Sequence, residues 1–241
     1  MARIINVCSG KGGVGKTTIV ANLGAALTLS GRKTAIIDCN LTTPHLGLMF
    51  GFHNPGRTLN NFLRKESPLE AAVYVHPSGM RLVPASLDLG ELVNVAAGSL
   101  KNEIKNVFDG YDYVLLDSAP GIGREALIAL RSCDRNIFVA SPYIPSLIDV
   151  LRLKNFSDSL GIKNIGVVLN RVRKKKHEIG PVGVYRFADL PVIGVIPEDE
   201  AVLRSLNSRT ISVLYSPKSP SARAIHSLAK GISSTYESSR R

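Results

Sequence analysis

Residues Ser9 to Thr18 read Ser-Gly-Lys-Gly-Gly-Val-Gly-Lys-Thr-Thr, and Gly10, Gly15, Lys16 and Thr17 fill the four fixed positions of G-x-x-x-x-G-K-[ST]. The chemistry of that pattern is the cradling of a polyphosphate. Glycines let main-chain N–H groups turn inward, where they and a helix N-terminus offer partial positive charge to phosphate oxygens. Lys16 has the reach for the β- and γ-phosphates, and the Thr17 hydroxyl suits Mg²⁺. Gly12, Gly13, Val14 and Thr18 complete the loop. The pattern has meaning only between a strand and a helix. Both are legible: Ile4 to Cys8 is a short apolar run, and Ile19, Val20, Leu23, Ala26 and Leu27 recur at helical spacing.

Two carboxylates stand at the ends of other apolar runs. Tyr113-Val114-Leu115-Leu116-Asp117 delivers Asp117 to a strand end, where it would hold Mg²⁺ through a water opposite Thr17. Lys33 to Cys39 reads as a buried strand that ends at Asp38. Parallel α/β folds bind their ligands at the carboxyl ends of the strands. Loop, Lys16 and both carboxylates therefore predict a site for a nucleotide with Mg²⁺.

One more lysine narrows the class. Lys11 follows the first glycine of the loop, and Lys11 to Thr18 resembles the deviant Walker A motif of the MinD/ParA ATPases. The resemblance continues through Asn40 to Leu48 (switch I), Asp117-Ser118-Ala119-Pro120-Gly121 (switch II), Asn170-Arg171, and Ile196-Pro197-Glu198-Asp199. It is nearest to the MinD branch. It implies an ATP hydrolase that dimerises when ATP is bound, with Lys11 reaching the partner's nucleotide and Lys16 holding its own. It also implies that Asp38 positions the attacking water, that Gly121 senses the γ-phosphate through its amide, and that an aspartate at Asp149 contacts the loop. Asn170, Arg171, Pro197, Glu198 and Asp199 would line the adenine. Departures are Asn40, where a second acidic residue is common, and Tyr143, where a glutamate is usual. A ParA-like DNA-partition ATPase and a non-hydrolysing, nucleotide-locked interaction module remain alternatives.

Composition bounds the rest. Thirty Lys+Arg against nineteen Asp+Glu leave a net charge of +11, which favours an anionic partner surface, membrane lipid or DNA. The run Arg171-Val172-Arg173-Lys174-Lys175-Lys176-His177 concentrates that charge. Cys8, Cys39 and Cys133 are widely spaced and form no C-x-x-C, which argues against a zinc ribbon, an iron–sulfur carrier or a disulfide framework. Five scattered histidines lack metal-ligand spacing. No apolar run approaches the roughly 20 residues of a membrane span, and the chain enters a strand at once, so a cytoplasmic protein without a signal peptide is expected. A peripheral position at the inner face of the plasma membrane and a stimulating or effector protein complete the expected setting.

The elements that must position these groups are strands and helices in alternation. A hydrophobic content of 44% with only 6% aromatics suits a parallel sheet packed by Val, Ile, Leu and Ala. Further strands are read at Met80 to Pro84, Asn136 to Ala140 and Ile165 to Leu169. Helices are read at Thr58 to Leu63, Pro68 to Val73, Ser99 to Phe108, from about Ser146, and from Ser219 to about Ser233. The expectation is one doubly wound, mostly parallel β-sheet flanked by helices, one domain over residues 1–241, with a polar tail from about 233 that cannot insert in a bilayer.

Overall fold

The computed structural model describes residues 2–92 and 99–237. Eight strands form one sheet: β1 (Arg3–Cys8), β2 (Thr34–Cys39), β3 (Tyr74–Val75), β4 (Arg81–Val83), β5 (Tyr113–Ser118), β6 (Arg135–Ala140), β7 (Lys163–Val172) and β8 (Val192–Pro197). Their order is β3-β4-β2-β5-β1-β6-β7-β8, parallel throughout except for the β3–β4 pair. The helices are α1 (Lys16–Leu29), α2 (Leu46–Met49), α3 (Leu59–Leu63), α4 (Lys101–Val107), α5 (Arg124–Ser132), α6 (Ile144–Ser159), α7 (Pro181–Ala188), α8 (Glu200–Asn207), α9 (Ser212–Tyr215) and α10 (Pro220–Glu237). The doubly wound α/β class is as expected.

Alternation along each strand sends neighbouring side chains into opposite layers. Ile36 and Leu115 pack in the core beneath α1 and α10, whereas Ala35, Ile37, Val114 and Leu116 face α3, α4 and α5. With both faces covered, the strands read as near-continuous apolar runs. Strand β1 is central, between β5 and β6. The chain leaves β1 toward β2 on one side, and after β5 it crosses to β6 on the other. Such a reversal opens a crevice at the carboxyl end of β1, where the glycine loop lies.

Several boundaries differ from the sequence reading for local reasons. Helix α6 begins at Ile144 because Pro145 sits in its first turn, where a missing N–H costs nothing. Residues 68–73 make only a 3₁₀ turn, Leu69–Ala72. Helix α10 continues to Glu237, well into the segment read as a tail, while residues 238–241 lie outside the described part. Ser234 and Thr235 return their hydroxyls to the carbonyls of Lys230 and Gly231 at 3.0 and 2.9 Å, so their polarity is satisfied without ending the helix.

Helix α1 is apolar on nearly all sides, because it lies between the sheet and α10. Asn22 fixes it from above: its carbonyl oxygen accepts the Ser212 hydroxyl and the Val213 N–H, both at 2.9 Å. Gly24 fixes it from below. A Cβ there would lie 2.6 Å from Ile36 Cγ2 and 2.9 Å from Met80 Sδ. Gly24→Ala gains up to about 1 kcal/mol of helix propensity but overpacks a dense core at a cost of about 1–3 kcal/mol. The expected net loss is about 1 kcal/mol in urea unfolding, and unchanged or higher stability would show that Ile36 and Met80 yield.

Candidate nucleotide-binding site

The loop that follows β1 closes on itself through glycines in left-handed backbone. Gly13 and Gly15 have φ of +82° and +89°, and the Gly15 carbonyl accepts the Ile19 N–H at 3.0 Å to begin α1. At Gly10 the reason for glycine is contact instead: a Cβ would lie 2.0 Å from the Cβ of Asp149 on α6. Asp149 thus packs against the loop, where the resemblance put it. The loop borders a cavity of about 450 Å³ lined by residues 12–18, with Asn40, Thr43, His45, Pro120 and Arg171 on the far walls. Lys11 is exposed and is not among the residues that line it.

Beneath the cavity lies a buried charge cluster. Asp38 and Asp117 are register partners on β2 and β5, and both are fully buried. Lys16, itself 6% exposed, forms an ion pair with Asp117 Oδ1. Burial, and next the Asp117 charge, pushes the Asp38 carboxyl well above its ordinary range. The second oxygen of Asp117, Oδ2, is buried without a hydrogen-bond partner. Such an orphan costs about 1–3 kcal/mol unless something engages it. A hard cation fits: Thr17, a hydroxyl residue, is among those that line the cavity, and Mg²⁺ takes one or two protein oxygens and completes its shell with water and phosphate. Among the described residues no group of three or more His, Cys, Asp or Glu could form an all-protein metal cage.

Two groups singled out in the sequence have partners within the loops. Asp38 Oδ1 accepts the Asn40 N–H at 3.0 Å and Oδ2 the Leu46 N–H at 3.1 Å. The carboxylate thereby anchors both ends of the loop from 40 to 46 while each oxygen keeps a further lone pair, and Asn40 lines the cavity. The Gly121 amide, expected to be free, donates to the Ser9 carbonyl at 2.8 Å. A further tie escaped the sequence reading. Glu125, in the first turn of α5, accepts the Thr42 N–H at 3.1 Å and also the Thr42 hydroxyl, joining the two loops across 83 residues. No motif marks that pair, because it exists only once β2 and β5 are adjacent.

A second cavity of about 400 Å³ adjoins the first and shares Gly15, Thr18, Arg171 and Leu206 with it. Asn170, Arg171, Pro197, Glu198 and Asp199 all line it. The Asn170 amide donates to the Val14 carbonyl at 2.8 Å, so it also ties β7 to the loop. Asp199 is spent on structure, capping α8 through Ala201 N–H and accepting from Ser221. The basic run is partly committed too. Arg171 lines both cavities, and Arg173 pairs with Glu198, leaving Lys174, Lys175 and Lys176 exposed.

The Gly10–Asp149 contact is testable. Gly10→Ala should lower nucleotide affinity at least about tenfold by forcing α6 and the loop apart, and Asp149→Gly should restore most of it by removing the opposing Cβ. Titration with a fluorescent ATP analogue checks both, and a double variant as weak as Gly10→Ala would refute the steric account.

Across residues 1–233 the chain matches the ParA family, described as NUBPL iron-transfer P-loop NTPase. It is 37% identical over 238 residues to an uncharacterized ATP-binding protein of Methanocaldococcus jannaschii, covering 98% of this chain and 90% of that one. The cell division ATPase MinD of Pyrococcus furiosus superposes with a TM-score of 0.92 at 32% identity, covering 98% of this chain and all of the other. The septum site-determining protein MinD of Pyrococcus horikoshii, solved with Mg-ADP, gives 0.91 at 32% identity over 96% of each chain. The chain belongs to the ParA family of P-loop NTPases, among its MinD and ParA-like ATPases.

Proposed function

We propose that this protein is a MinD-like ATP hydrolase, a switch that dimerises with ATP and acts in the spatial regulation of cell division or the positioning of a cellular structure. One observation carries the reading. The loop lysine and the buried carboxylate of β5 meet beneath a phosphate-sized cavity, with one carboxylate oxygen left unengaged. That is a cation site awaiting a metal–polyphosphate.

The loop amides and Lys16 bind the phosphates, and the cavity beside Asn170 and Pro197 takes the base. Thr17 and Asp117 would hold Mg²⁺, which would supply charge to the phosphate oxygens. Lys16 would leave Asp117 Oδ1 to reach the phosphates. Asp38 anchors the loop of Asn40 and is assigned to position the attacking water, and Lys11, exposed at the loop's outer side, suits a contact made across a dimer. The ties Gly121–Ser9 and Thr42–Glu125 put both loops within reach of whatever fills the cavity, which supports a switch that reports its nucleotide. An effector protein at the dimer face and a peripheral, cytoplasmic site of action belong to the same reading. Turnover is slow when the protein acts alone, because a switch must persist in its ATP form.

Lys16→Ala should weaken Mg·ATP binding about 100-fold by isothermal titration, and unchanged affinity in the folded variant would refute the phosphate role. The same variant should lose stability as the pH rises from about 5 to about 8. The folded-state Asp38 carboxyl is already raised, and without Lys16 it rises further, so the folded chain holds a proton that the unfolded chain has released. Thermal melts at both pH values give the sign. Asn40→Asp should speed single-turnover hydrolysis tenfold or more by bringing a carboxylate to the cavity wall. An unchanged rate would place the limit elsewhere.

A further inference from the structure

The contact between Thr42 and Glu125 lies outside the nucleotide cavity yet bears on one of its walls. Asn40, Thr43 and Pro120 line that cavity, whereas Thr42 and Glu125 do not. The loop from 40 to 46 is closed by its own groups: the Asn40 amide donates to the Thr43 carbonyl at 2.6 Å, and the Thr43 hydroxyl to the Asn40 side-chain oxygen at 3.2 Å. Leu41 is buried in the layer that holds Ile128 and Ala129 of α5. Thr42 follows, exposed, and turns both its N–H and its hydroxyl to Glu125. Glu125 stands in the first turn of α5, where the helix N-terminus favours a negative charge. A carboxylate that accepts two hydrogen bonds from one residue fixes that residue in orientation as well as position. The short segment that leads to Glu125 also carries Asp117 at the end of β5, Pro120 on the cavity wall, and Gly121 bonded to Ser9.

We propose that Glu125 is a positioning residue: acting through Thr42, it holds Asn40 and Thr43 against the place of the third phosphate and so sets the preference for ATP over ADP. The inference deepens the ATPase reading and rests on it for the ligand. The amides of the glycine loop serve phosphates that both nucleotides carry, and the wall across the cavity stands where the third would extend. A wall on a free loop would adapt to either occupant and distinguish neither. Tied to α5, it shifts only together with the segment that leaves Asp117, so the two loops act as one body. The tie joins an exposed threonine to a half-buried carboxylate, and water competes for both groups. It is therefore weak enough to open when the content of the cavity changes. A purely structural tie would lower stability and leave the ratio of the two affinities where it was.

Two measurements on the full chain test this. Titration with Mg·ATP and with Mg·ADP reads the preference, and amide hydrogen exchange on the nucleotide-free protein reads the tie itself. Glu125→Ala should lower the ATP-over-ADP preference about tenfold with Mg·ADP affinity unchanged, and Thr42→Val, which keeps its N–H, about threefold. The double variant should match Glu125→Ala, because both changes remove one interaction. Glu125→Gln should restore most of the preference, since its amide can accept the Thr42 N–H and donate to the hydroxyl. In Glu125→Ala the Thr42 amide should exchange at least about tenfold faster than in the parent. A parent that binds neither nucleotide would sink the ATPase reading, and the exchange rates would still decide the tie. An unchanged preference in Glu125→Ala, equal weakening of both nucleotides, effects that multiply in the double variant, or no faster exchange at Thr42 would overturn the proposal.

Discussion

The ion pair between Lys16 and Asp117 is the interaction on which the rest of the molecule is arranged. Parallel pairing of β2 and β5 sets Asp38 and Asp117 side by side in a fully buried layer. Two like charges so placed are unfavourable unless a cation stands between them and the solvent. Lys16 supplies it, and can do so only because the glycine loop carries the start of α1 back over the strand ends. The pair costs desolvation and leaves Asp117 Oδ2 buried without a hydrogen-bond partner, so this part of the fold carries an electrostatic cost.

Close approach is the second constraint, and glycine is how the chain meets it. Gly10 admits the Cβ of Asp149, and Gly15 admits the Asn170 amide, which would lie 2.3 Å from a Cβ. Each contact brings a distant strand or helix of the β6–β7 half against the loop from the β1 half. Hydrogen bonds to the main chain then finish the walls: the Asn170 amide donates to the Val14 carbonyl, the Gly121 N–H to the Ser9 carbonyl, and the Asn40 and Leu46 N–H groups to the Asp38 carboxylate. A loop held from both sides can register a small change in what it encloses, because packed elements shift between discrete arrangements and do not deform continuously.

The surface is divided in the same way between committed and free charge. Arg171 and Arg173 belong to the cavities and to Glu198, whereas the lysines after them face solvent. A strongly basic composition is therefore no measure of a patch. What counts is how much of the charge the fold leaves without an acidic neighbour.

The sequence by itself determined the fold class, the central position of the loop, and the identity of Lys16, Thr17 and Asp117. Those depend on short-range facts: glycine at set spacing, apolar runs of strand length, and a carboxylate at a strand end. It also marked Asn170 and residues 197–199, which line one cavity, through motifs that stand after strands. Tertiary structure decided where each carboxylate points. Asp38 is marked by its place at the end of β2, but only the folded turn at 40–46 brings the N–H groups of Asn40 and Leu46 onto its two oxygens. Glu125 had no motif, and its role arises from a partner that folding brings to it. Which residues of α7 stay exposed was hidden for a related reason. In eight residues holding Val182, Val184, Tyr185 and Phe187, only packing against the neighbouring elements settles which are buried, and local periodicity in so short a helix leaves it open.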